Sequence, residues 1–157
     1  MGQVGIHFKC VQPTHKFVIH MRDLEVVNST IKISSSTDAD FTELKGLKWD
    51  FDRVTSFLSI SLLSEGQVFR AGHNYTFESE FKGFSKYDNQ GFYRTFYTDD
   101  NGVTKYAITS QLEYIEARKA FLSFDEPELK STFRITIIHE ENLDAMSNMP
   151  VATKTKM

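Results

Sequence analysis

Two polar side chains in the C-terminal half, Gln111 and Glu113, form the pair best suited to hold a ligand. They lie two residues apart, so on a β-strand they would project from the same side. An amide carbonyl beside a carboxylate offers good acceptors to a cationic ammonium group. The spacing also fits a simpler interpretation, in which Glu113 starts a short helix and interacts favourably with its dipole. Spacing by itself leaves both interpretations open and favours the second.

Support for a metal or nucleophile site is weaker. The run from His139 to Leu143 begins like the zinc protease motif H-E-x-x-H, but Leu143 stands where the second histidine is required. The single cysteine, Cys10, excludes an internal disulfide and a Cys-based zinc cluster. Neither the P-loop nor the dinucleotide-binding glycine motif occurs. We therefore predict no catalytic residue, metal or cofactor on this chain.

Length, charge and composition restrict the class of protein. A chain of 157 residues predicts one domain, and 40% hydrophobic residues are enough to fill a core. Lysine and arginine number 18 against 21 acidic residues, and a formal charge of −3 argues against a nucleic-acid partner. No run approaches the roughly 18 apolar residues that span a bilayer, so we expect no membrane segment in this chain.

The segments that would position Gln111 and Glu113 are predicted to be β-strands. Apolar residues alternate with polar ones in many short runs, and turn signals recur about every ten residues, as in an antiparallel sheet protein. Asn101-Gly102 is typical of a tight hairpin turn. The pattern predicts an all-β fold, an antiparallel β-sandwich or saddle-like set of sheets, with one short helix near residues 113–121. It also predicts loops or turns at 34–40 and 64–67 and a last strand through Phe133, Ile135 and Ile137.

Several segments resemble the N-terminal domain of the zinc aminopeptidase family of aminopeptidase N and puromycin-sensitive aminopeptidase. The family's T-Q-x-E motif appears as Ser110-Gln111-Leu112-Glu113, and A-R-x-A-F-P-C-F-D-E-P as the segment from Ala117 to Pro127. Lys130 to Phe133 is similar to its K-x-x-F, Ser147 to Pro150 to its S-N-M-P, and Gly91 to Arg94 to its G-F-Y-R. His20 to Val26 is similar to its L-H-x-x-x-L-x-I strand. Leu122 and Ser123 replace Pro-Cys, and Ser110 replaces Thr, which are conservative departures.

The resemblance implies roles for particular residues. Gln111 and Glu113 are expected to project into a catalytic cleft and hold the α-amine at the substrate's peptide N-terminus. Arg118, Asp125, Glu126 and Pro127 are expected to be structural. Arg118 should pair with Asp125 or Glu126, while Pro127 restricts Glu126 to an extended conformation.

The resemblance also implies what lies elsewhere. The family's H-E-x-x-H and G-x-M-E-N motifs belong to a following zinc domain and are absent from this sequence. We therefore expect a non-catalytic domain whose partner is a zinc catalytic domain, with zinc bound only there. The alternative is a stand-alone pseudo-enzyme β module that binds peptides or a protein partner.

The sequence also predicts the limits of the domain and its cellular location. Residues 1–150 are predicted to be the aminopeptidase N-like β domain, with its first strand missing, and residues 151–157 a polar tail. Two N-x-S/T sequons at Asn28 and Asn74 are candidates for glycosylation in a secretory setting. They favour an extracellular or membrane-anchored ectodomain, with the cytoplasm as the other option.

Overall fold

The computed structural model describes residues 1–36, 41–64 and 66–156, and its regular structure consists mainly of antiparallel strands, all of which lie before residue 112. The strands are β1 Gly2–Lys9, β2 Lys16–His20, β3 Leu24–Val26, β4 Lys32–Ser36, β5 Phe41–Glu43, β6 Leu47–Asp52, β7 Phe57–Leu62, β8 Asn74–Gly83, β9 Gly91–Thr98 and β10 Thr104–Gln111. The predicted all-β class is confirmed. Ser34–Ser36 of the loop predicted at 34–40 belong to β4, while residues 37–40 and Glu65 lie outside the described residues.

The ten strands form three sheets. β8 is the centre of a five-stranded sheet, with β1 along one edge, β3 and β4 sharing the other edge, and β5 beyond β4. β7 is the centre of a three-stranded sheet between β2 and β6. β9 and β10 form a separate two-stranded hairpin.

The core lies between the five-stranded and three-stranded sheets. Phe77 and Ile33 from the first sheet and Ile19, Leu58 and Ile60 from the second are all completely buried. The Phe17 ring joins the two layers, with centroids 4.6 Å from Phe8 on β1 and 5.3 Å from Phe77 on β8. Residues at every second position of β7 are buried, so its period-two pattern directly reports the face that meets the core.

A turn joins β9 and β10 where Asn101-Gly102 predicts one, but it spans residues 99–103 and is not the tight two-residue turn, because Asn101 lacks the positive φ which that turn requires. Gly102 has a φ of +76°, a left-handed conformation that glycine adopts without strain. The Asp99 side chain accepts hydrogen bonds from the backbone N–H groups of Asn101 and Val103 at 3.0 and 2.9 Å. At the open end of the hairpin, Gln111 pairs with Gly91.

One local prediction near the C-terminus is narrowed and one needs correction. The short helix predicted near 113–121 is present as a three-residue 3-10 helix, Ala117–Lys119, preceded by turns, because so short a segment cannot propagate an α-helix without extensive packing along one face. The strand predicted through Phe133, Ile135 and Ile137 is wrong for the described chain. These side chains are 67, 61 and 49% exposed, and no neighbouring strand pairs with the segment there. An alternating pattern becomes a strand only when a neighbour supplies the ladder hydrogen bonds.

Candidate functional site

The predicted ligand pair lies where the β9–β10 hairpin runs into the following turn. β10 ends at Gln111, and Glu113 is in the turn beyond it. Both side chains are exposed, as is their neighbour Tyr114 at 84%. The strand interpretation therefore does not extend to Glu113. The helix-start interpretation is also wrong, because the 3-10 helix begins at Ala117 and has no acidic residue in its first turn.

A buried ion pair fixes the root of this turn. The Arg118 Nε donates a hydrogen bond to the Asp125 Oδ2 at 2.8 Å, and the Arg118 backbone N–H donates to the same oxygen at 3.2 Å. Only 8% of Arg118 and 9% of Asp125 are exposed. The predicted pairing of Arg118 with Asp125 is thus present. The pair closes residues 118–125 into a loop, and the turn that carries Glu113 leads directly into the Arg118 end of that loop.

The same loop is tied to the three-stranded sheet through His20, the last residue of β2. Its backbone N–H donates to Ser123 O at 2.9 Å, and its Nδ1 accepts a hydrogen bond from the Asp125 backbone N–H at 3.2 Å. Glu126 Oε2 lies 3.8 Å from that Nδ1. Burial and then the Arg118 charge lower the pKa of His20 below its usual value, outweighing the acidic neighbours. The neutral ring therefore accepts the Asp125 N–H while the loop is folded.

Pro127 lies at the exposed exit from this loop. It is the second residue of a turn in which the Leu129 backbone N–H donates to Glu126 O at 3.0 Å. The proline begins the exposed segment that leaves the folded sheets.

A second charged cluster joins the turn to the other end of the hairpin. The Lys119 side chain is only 7% exposed, and its ammonium lies 3.3 Å from Asp88 Oδ2 and 3.6 Å from Glu116 Oε2, with Gln90 Oε1 as a further acceptor. Burial acts to raise the pKa of Asp88, but the hydrogen bonds from Lys119 and the Gln90 backbone N–H together with the Lys119 charge outweigh it, so this pKa lies below its usual value. Lys119 therefore holds the β8–β9 loop against the 116–119 turn.

Sequence reasoning did not identify His20 or Lys119 as parts of this site. His20 and Asp125 are 105 residues apart, and Lys119 and Asp88 are 31 apart. No local spacing signals such contacts, because they exist only after the sheets have assembled. The sequence contained one indication of their importance: His20 and Lys119 both occur inside segments that resemble the family's motifs, His20 to Val26 and Ala117 to Pro127.

The two sequon asparagines are accessible. Asn28 lies in the 3-10 helix Asn28–Thr30 and Asn74 begins β8, and both are exposed. The hydroxyl of Thr30 is used internally, since it donates to Val27 O at 2.6 Å and accepts from the Glu80 N–H at 2.8 Å. Glycosylation of either asparagine stays a prediction.

Neither a metal-binding cluster nor a membrane-spanning helix occurs among the described residues. Residues 1–36, 41–64 and 66–156 contain no group of three or more His, Cys, Asp or Glu side chains placed to hold a metal ion. The arrangement of these side chains therefore does not fit a zinc site. Within the same ranges, no helix has the length and apolar character needed to cross a bilayer.

The fold and the site define an all-β domain that presents an exposed amide and carboxylate on a firmly held turn. The chain belongs to the family described as the Peptidase M1 N-terminal domain, whose model matches residues 1–157. It is 35% identical over 150 residues to aminopeptidase N of Bos taurus, covering 95% of this chain and 15% of that protein. Aminopeptidase N of Canis lupus familiaris is 36% identical and that of Homo sapiens 35%, each over 156 residues and 94% of this chain. The chain thus spans about 15% of the length of these relatives, and the matched domain is the family's non-catalytic one.

Proposed function

We propose that this chain is the non-catalytic N-terminal domain of an aminopeptidase N-like zinc metallopeptidase, whose full-length form removes N-terminal amino acids from peptides. Its contribution is to supply Gln111 and Glu113, which anchor the substrate's α-amine. The observation that carries the proposal is the exposure of this pair on a turn fixed by the buried Arg118–Asp125 ion pair. The family match over 1–157 supports it. Residues 1–150 form the domain, and 151–157 are a polar tail.

The chemistry of an N-terminal substrate fits this pair. An α-amino group has a pKa of about 7.7–8.0, so most of it is cationic at neutral pH. The Glu113 carboxylate pairs with that charge, and the Gln111 carbonyl accepts one of its hydrogen bonds. An internal peptide bond carries no such charge. The pair therefore selects chain ends, while zinc and the hydrolytic residues belong to the catalytic domain.

An exposed apolar surface on the same hairpin supports a covering partner domain. Four side chains lie on one face of the β9–β10 hairpin: Phe92, Phe96, Tyr106 and Ile108. Phe96 lies directly opposite Tyr106, and Phe92 and Ile108 are an even number of positions from Phe96 and Tyr106 along their own strands. Their exposures run from 48 to 73%. Arg94 lies on the same face opposite Ile108, and exposed aromatic side chains together with arginine are typical of interaction sites. We assign this face to contact with the zinc catalytic domain.

The test compares substitutions in the full-length protein that carries this chain. Glu113→Gln and Gln111→Ala remove the charge and the carbonyl, and Glu128→Gln, an exposed acid in the next turn, is the matched control. Losing one partner of a desolvated charged pair costs about 2–5 kcal/mol, so Glu113→Gln should lower kcat/KM for an aminoacyl amide by about 30-fold or more. Glu128→Gln should leave it unchanged. A Glu113→Gln enzyme that matches the control would remove the basis of the proposal.

We also propose that the domain is exposed to the secretory pathway, as an extracellular or membrane-anchored ectodomain. The accessible Asn28 and Asn74 sequons support this. Expression in secretory cells should give a product whose mass falls on treatment with an N-glycosidase, and Asn28→Gln with Asn74→Gln should abolish that change. A product with the same mass before and after treatment would contradict the proposal and favour the cytoplasm.

A further inference from the structure

The open end of the hairpin is pressed against the turn that carries Glu113. Gly91, the first residue of β9, pairs with Gln111 and has a φ of +63°. A methyl group at its Cα would lie 2.6 Å from Lys119 Cβ, 3.3 Å from the Lys119 carbonyl carbon and 3.4 Å from Glu116 O. These atoms belong to the backbone or sit directly on it. No rotation of a side chain relieves the contact, so a side chain at position 91 must displace β9 or the 116–119 turn.

The Lys119 ammonium holds these two segments together from the other side. Its partners come from three places: Asp88 and Gln90 before β9, Asp23 after β2, and Glu116 in the turn. The side chains of Lys119 and Glu116 are only 7 and 13% exposed, so water screens this pair least, whereas Asp88 and Asp23, at 33 and 42%, are screened in part. Backbone hydrogen bonds then connect the cluster to the polar pair, because Lys119 N–H donates to Glu116 O and Glu116 N–H donates to Leu112 O, both at 3.1 Å.

We propose that Gly91 and Lys119 are positioning residues, which set the place of Glu113 relative to Gln111 and so determine how well the domain recognises a free amine. Gly91 allows the close approach of β9 to the turn, and Lys119 holds it. Neither residue contacts the substrate. This inference rests on the function proposed above. It adds that selectivity for the amine depends on the contact between Gly91, at the open end of the hairpin, and Lys119 in the following turn.

The chain offers a matched control for each substitution. Gly102, at the hairpin tip, has a φ of +76° but nothing within 4 Å of an added Cβ. Gly91→Ala and Gly102→Ala therefore share the backbone strain and differ in the contact with Lys119. Lys105 is 51% exposed and lies 3.8 Å from Asp99, so Lys105→Met removes a lysine without disturbing the root. It is the control for Lys119→Met.

The readout is the ratio of two inhibition constants in the full-length protein, for an amino-acid amide and for its analogue lacking the amine. Gly91→Ala and Lys119→Met should reduce the preference for the amine by about tenfold or more, because an error of about 1 Å in placement is costly. Gly102→Ala and Lys105→Met should keep the ratio of the unsubstituted protein. A loss of folded protein would lower the activity but leave this ratio intact, so a merely structural role predicts no change in the ratio.

The outcomes separate this inference from the proposed function. If Glu113→Gln and Gln111→Ala leave the ratio unchanged, the proposed function fails. If those two change it while Gly91→Ala and Lys119→Met behave like their controls, the function stands and the positioning role is overturned. Should the full-length Gly91→Ala protein not fold, amide NMR of the 157-residue chain replaces it. Lys119→Met must then shift the signals of residues 111–116 more than Lys105→Met does, and equal shifts would refute the inference.

Discussion

Removing the Arg118 guanidinium should destabilise this domain far more than removing an exposed charge. Arg118 and Asp125 are both more than nine-tenths buried, and the Asp125 Oδ2 accepts from the Arg118 side chain at 2.8 Å. In Arg118→Met that Oδ2 keeps, among the described residues, one hydrogen bond, from the Arg118 backbone N–H at 3.2 Å. Leaving one charge of a buried pair unpaired costs about 3–5 kcal/mol, which is a large part of a typical stability of about 5–15 kcal/mol.

Urea unfolding of the chain measures the effect, with Trp49 fluorescence and far-ultraviolet circular dichroism as signals. With a slope of about 2 kcal/mol per molar urea, the unfolding midpoint of Arg118→Met should fall by about 2 M. Lys105→Met removes an exposed partner that lies 3.8 Å from Asp99 and should cost at most about 1 kcal/mol. Two probes with coincident midpoints establish that unfolding is two-state.

A double substitution tests the cause. Arg118→Met combined with Asp125→Leu removes the unpaired charge as well, so it should recover much of the lost stability, since an apolar pair often replaces a buried ion pair without loss. The reasoning is refuted if Arg118→Met unfolds at the same urea concentration as Lys105→Met. It is equally refuted if the double variant is as unstable as the single one, because lost packing would then be the cause.

Two further predictions concern the core and the pH dependence. Phe77→Ala empties a completely buried site between the sheets and should lower the free energy of unfolding by about 3–5 kcal/mol, whereas Phe96→Ala, 65% exposed, should change it by about 0.5 kcal/mol or less; equal urea midpoints would contradict the assigned core. The lowered pKa of His20 means that its stabilising effect is complete above the unfolded value of about 6.5 and is lost as pH falls through the folded value. Stability measured between pH 5 and 7.5 should therefore fall toward acid more steeply in the unsubstituted chain than in His20→Asn, and parallel curves would show that this histidine does not titrate on unfolding.

Local pattern was sufficient for most of the sheet framework. Alternation in β7 and the Asn101-Gly102 turn each depend on interactions within a few residues, and both were predicted where the structure has them. The same pattern failed at Phe133, Ile135 and Ile137, because alternation reports the capacity for a strand and not the presence of a neighbour. The short helix predicted near 113–121 is present only as the 3-10 helix Ala117–Lys119, for the related reason that a longer helix needs tertiary packing.

By itself, the sequence determined the all-β class, the family and the residues of the candidate amine site, because alternation, turn chemistry and the motif around Gln111 and Glu113 are all written along the chain. Only the tertiary structure decided how that site is held. His20 reaches Asp125 across 105 positions, and Gly91 meets the backbone of Lys119, through contacts that form when separate strands come together. Such contacts depend on distances between segments far apart in the chain, and no spacing of neighbouring residues encodes them.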